Sequence, residues 1–273
     1  MKKRSVFERF SGSPYIIWSA LFIIAPLVFV MYFAFTDRSG SFTFENILSL
    51  SSYSETFVMS LGFSLIATTI CLIIGFPLAY CMSRTSERTR NILLVLLMLP
   101  MWISLLIRTY SLMALLDNGG LVSTFLTKLG FEKLTFIGTD AAVLLGMIYD
   151  FLPYMVLPIY TTLIKLDKRY LEAAYDLGCN STQTLFKVVI PLTVPGIISG
   201  VTMVFVPSIS TFYISQKLGG GSFDLIGDTI ERQFQNAVTY HTGAAISLVM
   251  MILILISLAI MNHFSDSEED IIV

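Results

Sequence analysis

Long apolar runs separated by short polar segments dominate the pattern of this 273-residue chain. Six of these runs are long enough to cross the roughly 30 Å of hydrocarbon in a bilayer. Backbone polar groups in lipid must be satisfied within each segment, so we expect every run to be helical. The pattern therefore predicts an all-α, polytopic membrane protein with six transmembrane helices, at residues 15–35, 56–82, 92–116, 141–163, 192–215 and 243–263.

The amino-acid composition supports this class. Apolar residues make up 55% of the chain and charged residues 13%, whereas a soluble domain carries about twice that charged fraction. The mean hydropathy is +0.78. Much of the acidity behind the net charge of −2 lies in a short C-terminal tail. We therefore expect membrane lipid around the chain and no nucleic-acid partner.

Lysine and arginine are distributed unequally between alternate polar segments. Residues 1–14, 83–91 and 164–191 hold four, three and four of them, whereas the three alternate segments hold one, two and two. Cytosolic segments carry the excess of positive charge in membrane proteins. The count predicts a cytosolic N-terminus (1–14), a transmembrane domain (15–263) and a cytosolic acidic tail (264–273).

The basic start followed by an apolar run has an alternative interpretation as a signal peptide. The run from Tyr15 to Phe35 is longer than the apolar region of such peptides, and no clean Ala-x-Ala cleavage site follows it. We therefore interpret it as an uncleaved first span.

Polar residues between the fourth and fifth runs form the most specific motif of the chain. The sequence EAAYDLGCNSTQTLFKVVIP contains Glu172, Ala173 and Ala174, then Gly178 after three residues, and ends at Pro191. Two adjacent alanines allow a short helix to pack closely against a partner, and Glu172 offers a directional charge. Gly178 can adopt the left-handed conformation that ends a helix. The segment predicts a helix–turn–helix docking element; an ordinary loop with a common triplet is the alternative.

A second short helix is predicted after this turn. Asn180 or Ser181 can cap its start, since short polar side chains accept hydrogen bonds from the exposed N–H groups of a first turn. We expect the helix to run from Thr182 to Val189 and to end at Pro191, because proline interrupts helical hydrogen bonds.

The motif spacing resembles the EAA loop of ABC-importer permeases, which is EAA, three residues, Gly, nine residues and Ile-x-Leu-Pro. Other segments resemble the PotB-type permease of spermidine/putrescine importers, which are type I ABC uptake systems, and the resemblance covers nearly the whole chain. Relatives often have glycine, sometimes followed by an acidic residue, where this chain has Ser210 and Thr211. The resembling segments are LPMWISLLIRTYSLMALLDNGG (99–120), YDFLPYMVLPIYTTL (149–163), VFVPSISTFYISQKLGGG (204–221), and LIGDTIERQF (225–234) followed by GAA (243–245).

The resemblance implies a type I (MetI-like) permease fold that forms half of an alternating-access pore. The other half would be a homologous PotC-type permease, and two PotA-type ATP-binding subunits would grip the coupling loops. A PotD-type extracytoplasmic binding protein would deliver the polyamine substrate. The ATPase-coupling residues within loop 164–191 would be Glu172, Ala173, Ala174, Gly178 and Pro191.

Enzymatic and cofactor motifs are missing from the sequence. It has no GxxxxGK[ST] motif for ATP, and its three cysteines have neither CxxC spacing nor a nearby histidine. We expect no catalytic residue, metal or cofactor, with ATP hydrolysed by separate subunits. A secondary transporter is an alternative that has no need of the cytosolic loop. Permeases for sulfate, ferric iron or another organic cation share the loop and stay open as alternatives.

Two charged residues, Arg108 and Asp150, fall clearly inside the predicted spans. They lie roughly 12 and 14 Å from the outer ends of those spans, at about 1.5 Å per helical residue. Intramembrane charges are costly and usually face the bundle interior or a water-filled path. One interpretation is a structural ion pair between the third and fourth spans. The alternative is that Asp150 receives a cationic amine while Arg108 extends towards the outer surface.

Aromatic residues lie near the depth of these charges. Aromatic faces and a carboxylate suit a flexible chain of ammonium groups, through cation–π contacts and charge pairing. Such side chains also commonly form interface belts or pack between helices. The candidate substrate pathway consists of Asp150, Arg108, Trp102, Tyr110, Tyr149, Tyr154, Phe212 and Tyr213.

Overall fold

The computed structural model describes residues 13–129, 135–221 and 224–272 of the chain. Nearly all of the predicted cytosolic N-terminus, with its four basic residues, lies outside these ranges. The regular elements of the described residues are helices, apart from one isolated antiparallel bridge between Thr36 and Phe42.

The helices are short near the turns and long across the apolar runs. A π-turn at Ala20–Ile24 joins the first two, and a second π-turn at Leu185–Val189 joins the tenth and eleventh. In chain order they are α1 (Ser13–Ser19), α2 (Ala25–Ala34), α3 (Glu45–Leu48), α4 (Ser54–Arg84), α5 (Glu87–Trp102), α6 (Leu105–Leu116), α7 (Leu121–Lys128), α8 (Asp140–Lys165), α9 (Lys168–Asp176), α10 (Ser181–Thr184), α11 (Ile190–Ser210), α12 (Tyr213–Leu218), α13 (Ile226–Gln235) and α14 (Tyr240–Ile272).

Five helical stretches of the described chain are long and apolar enough to cross a membrane. A bent pair, Glu87–Trp102 with Leu105–Phe125, makes a sixth crossing if its two parts form one span. This agrees with the predicted all-α membrane architecture. The five stretches are Pro14–Ala34, Glu45–Arg84, Asp140–Lys165, Ser181–Ser210 and Tyr240–His263.

The third predicted span, 92–116, is not one continuous helix. Its two parts meet at an angle of 96°, and the backbone of Ile103 and Ser104 between them is extended. The N–H of Ile103 donates to the carbonyl of Pro100, three residues back instead of four, and the helix ends there. Because both parts are apolar, hydropathy alone does not distinguish this break from a straight span.

The observed helix in the fifth predicted span, 192–215, begins and ends at residues other than those predicted. The helix begins before Pro191 and continues through it, so the predicted end of a short helix at Pro191 is wrong. Proline has no N–H to donate, and the preceding π-turn lets the N–H of Ile190 bond to the carbonyl of Leu185, five residues back. At the other end, α11 stops at Ser210, and an extended Thr211 precedes α12.

The described residues form two compact units. The first comprises residues 13–54 with 229–253, and the second comprises the described residues of 55–228 with 254–272. Within the first unit, the ring of Phe33 packs edge-on against Tyr240, with centroids 5.1 Å apart. The carbonyl oxygen of Phe33 also lies 3.1 Å from Nδ1 of His241. These contacts hold the end of α2 against the start of α14.

Close packing of α8 against α11 forms the centre of the second unit. A Cβ added at Gly200 would lie 3.0 Å from the carbonyl oxygen of Met155, which leaves no room for a side chain. Small residues permit such close approach of helices in membranes, where van der Waals packing drives association.

We expect Gly200→Leu to destabilise the permease strongly, because the added side chain forces α8 and α11 apart. Overpacking a core costs about 1–3 kcal/mol, so folded yield and thermal stability in detergent should fall. Gly62→Leu is the matched control, since a Cβ at this helical glycine meets no described atom within 4 Å. Equal stability of the two variants would contradict the proposed packing role of Gly200.

Candidate functional site

The first helix of the predicted docking element is α9. Its N-cap is Asp167, whose side chain accepts a hydrogen bond from the N–H of Arg169 at 3.0 Å. Ala174 is buried, whereas Glu172 and Ala173 are exposed. The Glu-Ala-Ala triplet therefore contributes one residue to packing within the chain and leaves two residues exposed.

A Schellman turn ends this helix at the predicted glycine. Gly178 has a φ of +83°, in the left-handed region that side chains disfavour. Its N–H donates to the carbonyl of Tyr175 at 2.9 Å, and the N–H of Cys179 donates to that of Ala174 at 3.0 Å. This pair of bonds defines the motif, so the conformation predicted for Gly178 is confirmed.

A capping box starts the second helix and decides between the two predicted caps. The side chain of Asn180 accepts from the N–H of Gln183 at 2.8 Å, and the side chain of Gln183 accepts from the N–H of Asn180 at 3.0 Å. Each side chain thus accepts a hydrogen bond from the backbone N–H of the other residue, which has no partner within the helix. Asn180, and not Ser181, is the cap.

Large apolar side chains surround the exposed part of the triplet. Leu177 is 85% exposed, and Tyr170, Tyr175 and Phe186 are also more than half exposed. Contiguous exposed apolar residues on a rigid turn commonly mark a protein interface. The loop therefore exposes both apolar side chains and the carboxylate of Glu172, which is compatible with a docking element.

Arg108 and Asp150 form an ion pair inside the apolar part of the second unit. Arg108 Nη1 lies 2.9 Å from Asp150 Oδ1, and it also donates to the backbone oxygen of Asp150 at 3.3 Å. Their side chains are 5% and 1% exposed. The predicted pair between the third and fourth spans is therefore present, and Arg108 does not extend to the surface.

The pair uses only part of its hydrogen-bonding capacity. Among the described residues, Arg108 Nε and Asp150 Oδ2 have no hydrogen-bond partner. Buried polar atoms without a partner are costly and call for an explanation. Asp150 Oδ2 is thus an acceptor that no described residue uses, and it is buried from the surface.

A cavity of about 270 Å³ lies where two helices of the second unit are interrupted. Its lining includes residues next to the break after Ile103 and at the break around Thr211. Non-helical backbone at membrane depth is tolerated where it is buried in protein or lines a water-filled path. The lining residues are Leu105, Leu106, Phe151, Pro207, Ser210, Thr211, Phe212 and Tyr213.

The predicted pathway aromatics are only partly brought together. The rings of Tyr110 and Tyr213 meet edge to face with centroids 5.8 Å apart, and Phe212 follows in the cavity wall. Tyr154 is half-buried and contacts Phe151. Trp102 and Tyr149 are exposed, at 75% and 43%, and the structure does not place them in this group.

A lysine that the sequence did not single out completes the aromatic group. The ammonium of Lys217 lies 5.4 Å from the ring centroid of Tyr110 and 5.7 Å from that of Tyr213. Both distances are within the range of cation–π attraction. The two tyrosines predicted to meet a cationic substrate therefore already hold a cation of the chain.

Residues 72–268 match the family described as the inner membrane component of binding-protein-dependent transport systems. The chain belongs to this family. The spermidine/putrescine transport system permease protein PotB of Haemophilus influenzae is 38% identical over 246 residues, covering 86% of each chain. PotB of Escherichia coli is 38% identical over 245 residues, covering 86% of this permease and 89% of the relative.

Solved structures share the fold. A bacterial ABC transporter involved in import of the acidic polysaccharide alginate aligns with a TM-score of 0.75 over 93% of both chains, at 20% identity. A chain of the MetNI methionine ABC transporter aligns with a TM-score of 0.56 over 78% of this permease and 94% of that chain, at 14% identity. The predicted fold class is confirmed: this is a multi-pass membrane permease with the type I ABC importer fold.

Proposed function

We propose that this permease is one half of the pore of an ATP-driven polyamine importer, with both termini and the EAA loop in the cytosol. Its partners are a PotC-type permease, two PotA-type ATP-binding subunits and a PotD-type extracytoplasmic binding protein. The observation that carries the proposal is the Schellman-terminated α9, which presents Glu172 and Ala173 outward. ATP hydrolysis occurs in the separate subunits, which pull on this loop when they close.

The choice of polyamine rests on the relatives and on the chemistry around the cavity. PotB proteins similar over most of the chain are named for spermidine/putrescine transport. A buried carboxylate oxygen at Asp150 and an aromatic pair that already binds an ammonium provide what a polyamine needs.

Reconstitution of the complex in liposomes tests this function. With the loaded binding protein outside and ATP inside, we expect uptake of labelled spermidine or putrescine and a rise in ATPase activity. The permease alone should show neither. Gradient-driven uptake by the isolated chain would instead indicate a secondary transporter, and uptake of sulfate or ferric iron in place of polyamines would reassign the substrate.

We expect Lys217→Met to lower the apparent KM for polyamine uptake, because it removes the cation that competes for Tyr110 and Tyr213. A cation–π contact is worth about 0.5–2 kcal/mol, so the KM should fall at least about twofold. Lys128→Met is the control, since Lys128 is an exposed lysine of α7. A KM that is unchanged or higher in Lys217→Met alone would show that Lys217 does not compete with substrate.

A further inference from the structure

A second cavity lies beside α9, at the ends of two membrane-spanning helices. Its volume is about 310 Å³. The spans α4 and α8 end at Arg84 and Lys165, which places the cavity at the boundary between the apolar and polar parts of the second unit. It is lined by Ser83, Arg84, Thr85, Arg90, Leu163, Ile164, Leu166, Lys168 and Leu171.

The charged residues that line this cavity are all positive. Arg84, Arg90 and Lys168 line it, and no acidic residue is among its lining residues. None of the three has a carboxylate within ion-pair distance in the described part of the chain. The guanidinium of Arg84 stacks over the ring of Tyr80 at 5.1 Å, which fixes its position. Such a concave, unneutralised site attracts an anion, and arginine suits phosphate oxygens in particular.

Exposed apolar side chains lie in the wall of this cavity and also on the opposite face of α5 from Arg90. The residues directly after Arg90 line a separate cavity of about 330 Å³, formed by Asn91, Ile92, Val95 and Leu96. Ile92, Val95 and Leu96 are all about half exposed, and so is Ile164 in the wall of the basic cavity. A soluble anion cannot bury such apolar surface, whereas the acyl chain of a lipid can.

We propose that the basic cavity binds a phosphate ester, specifically the headgroup of an acidic phospholipid in the inner leaflet. The proposal rests on the proposed cytosolic position of the EAA loop, but not on the substrate. Basic residues at the cytosolic membrane surface attract anionic lipids. Arg84 binds the phosphate from the end of α4, Arg90 binds it from the first turn of α5, and Lys168 binds it from the start of α9.

Lipid binding at this place links the membrane to ATPase coupling. Lys168 begins α9, and Leu171 packs one turn later beside the exposed Glu172. A bound headgroup that joins Lys168 to Arg84 and Arg90 holds α9 against the ends of the spans. The docking element is then stiff when the ATPase pulls on it.

The test measures lipid retained by the full chain purified in detergent, without ATPase or substrate. Phosphatidylglycerol should be retained over phosphatidylcholine and should raise the melting temperature. Arg84→Gln with Arg90→Gln should weaken its binding by about fivefold per residue. Arg88→Gln is the matched control, because Arg88 lies in the first turn of α5 with Arg90, is exposed and does not line the cavity. Arg84→Lys with Arg90→Lys keeps both charges and should retain the lipid if the glutamine variant fails to fold.

Three outcomes would overturn the proposal. Equal retention of the two lipids, or equal losses in Arg88→Gln, would mean that no specific headgroup site exists. Saturation by inorganic phosphate or glycerol 3-phosphate, without preference for phosphatidylglycerol, would assign a soluble anion instead. In a separate copurification of the glutamine variant with the ATPase subunit, reduced ATPase binding with unchanged lipid retention would assign the cavity to that subunit. Because uptake is assayed separately, failure here leaves the proposed transport function standing.

Discussion

Gly178→Leu should abolish transport while leaving the permease in the membrane. Gly178 has a φ of +83°, and a Cβ there would meet no described atom within 4 Å. The penalty is therefore conformational, about 1–2 kcal/mol for a side chain in the left-handed region. The Schellman turn relieves that strain by changing its backbone path, which re-aims α9 away from the ATPase. Uptake and substrate-stimulated ATPase activity of the reconstituted complex measure the effect.

A glycine with nearly the same environment provides the control. Gly40 has a φ of +78°, and a Cβ at this position would likewise meet no described atom within 4 Å. Gly40→Leu therefore carries the same conformational strain in a turn outside the EAA loop. We expect it to transport at close to the wild-type rate. Similar losses in both variants would show that strain in general, and not coupling, causes the defect.

Glu172→Ala should also abolish transport, because it removes the exposed carboxylate at the centre of the docking element. Glu87→Ala, at the exposed start of α5, is the control. A cysteine at position 173 should crosslink efficiently to the ATPase, in a chain whose Cys179 is replaced by serine. Normal uptake by Glu172→Ala, together with no crosslink from position 173, would exclude the loop as a coupling element.

The sequence predicts local features of this loop well, because their causes are local. Gly178 and Asn180 act through bonds to residues within four or five positions, so their types and spacing are sufficient. The prediction for Pro191 is wrong because it also rests on local sequence. Proline usually ends a helix because it lacks an N–H donor, but here the π-turn before Pro191 changes the hydrogen-bond pattern so that the helix continues. That compensation depends on the continuing helix α11, which a local pattern does not contain.

The candidate substrate path is less predictable, because apolar character hides changes of backbone direction. Pro100 and Pro207 each lie four residues before a break in an otherwise apolar run, at Ser104 and Thr211. Other prolines within the spans are followed by uninterrupted helix, so proline position alone does not locate the breaks; these are Pro77, Pro153, Pro158 and Pro195. The position of Lys217 over two tyrosines depends on the packing of α12 beside α6. Sequence spacing alone assigns that lysine to an outer loop.

The ion pair between Arg108 and Asp150 gives the second large expected effect. Asp150→Asn leaves a buried arginine without its counter-ion, and breaking a buried pair from one side costs about 3–5 kcal/mol. We expect the amount of assembled complex to fall sharply, as measured by copurification with the partner subunits. Arg108→Lys keeps the positive charge and should assemble better than Arg108→Gln.

The double change Asp150→Asn with Arg108→Gln separates structure from transport. Replacing both charges removes the uncompensated ion, so assembly should recover. Uptake per assembled complex should stay low, because the substrate loses the carboxylate whose Oδ2 has no described partner within the chain. Polyamine-stimulated ATPase activity should stay low for the same reason. Full recovery of uptake in the double variant would limit Asp150 to holding α8 against α6, and the cation would then have to pass by the aromatic group alone.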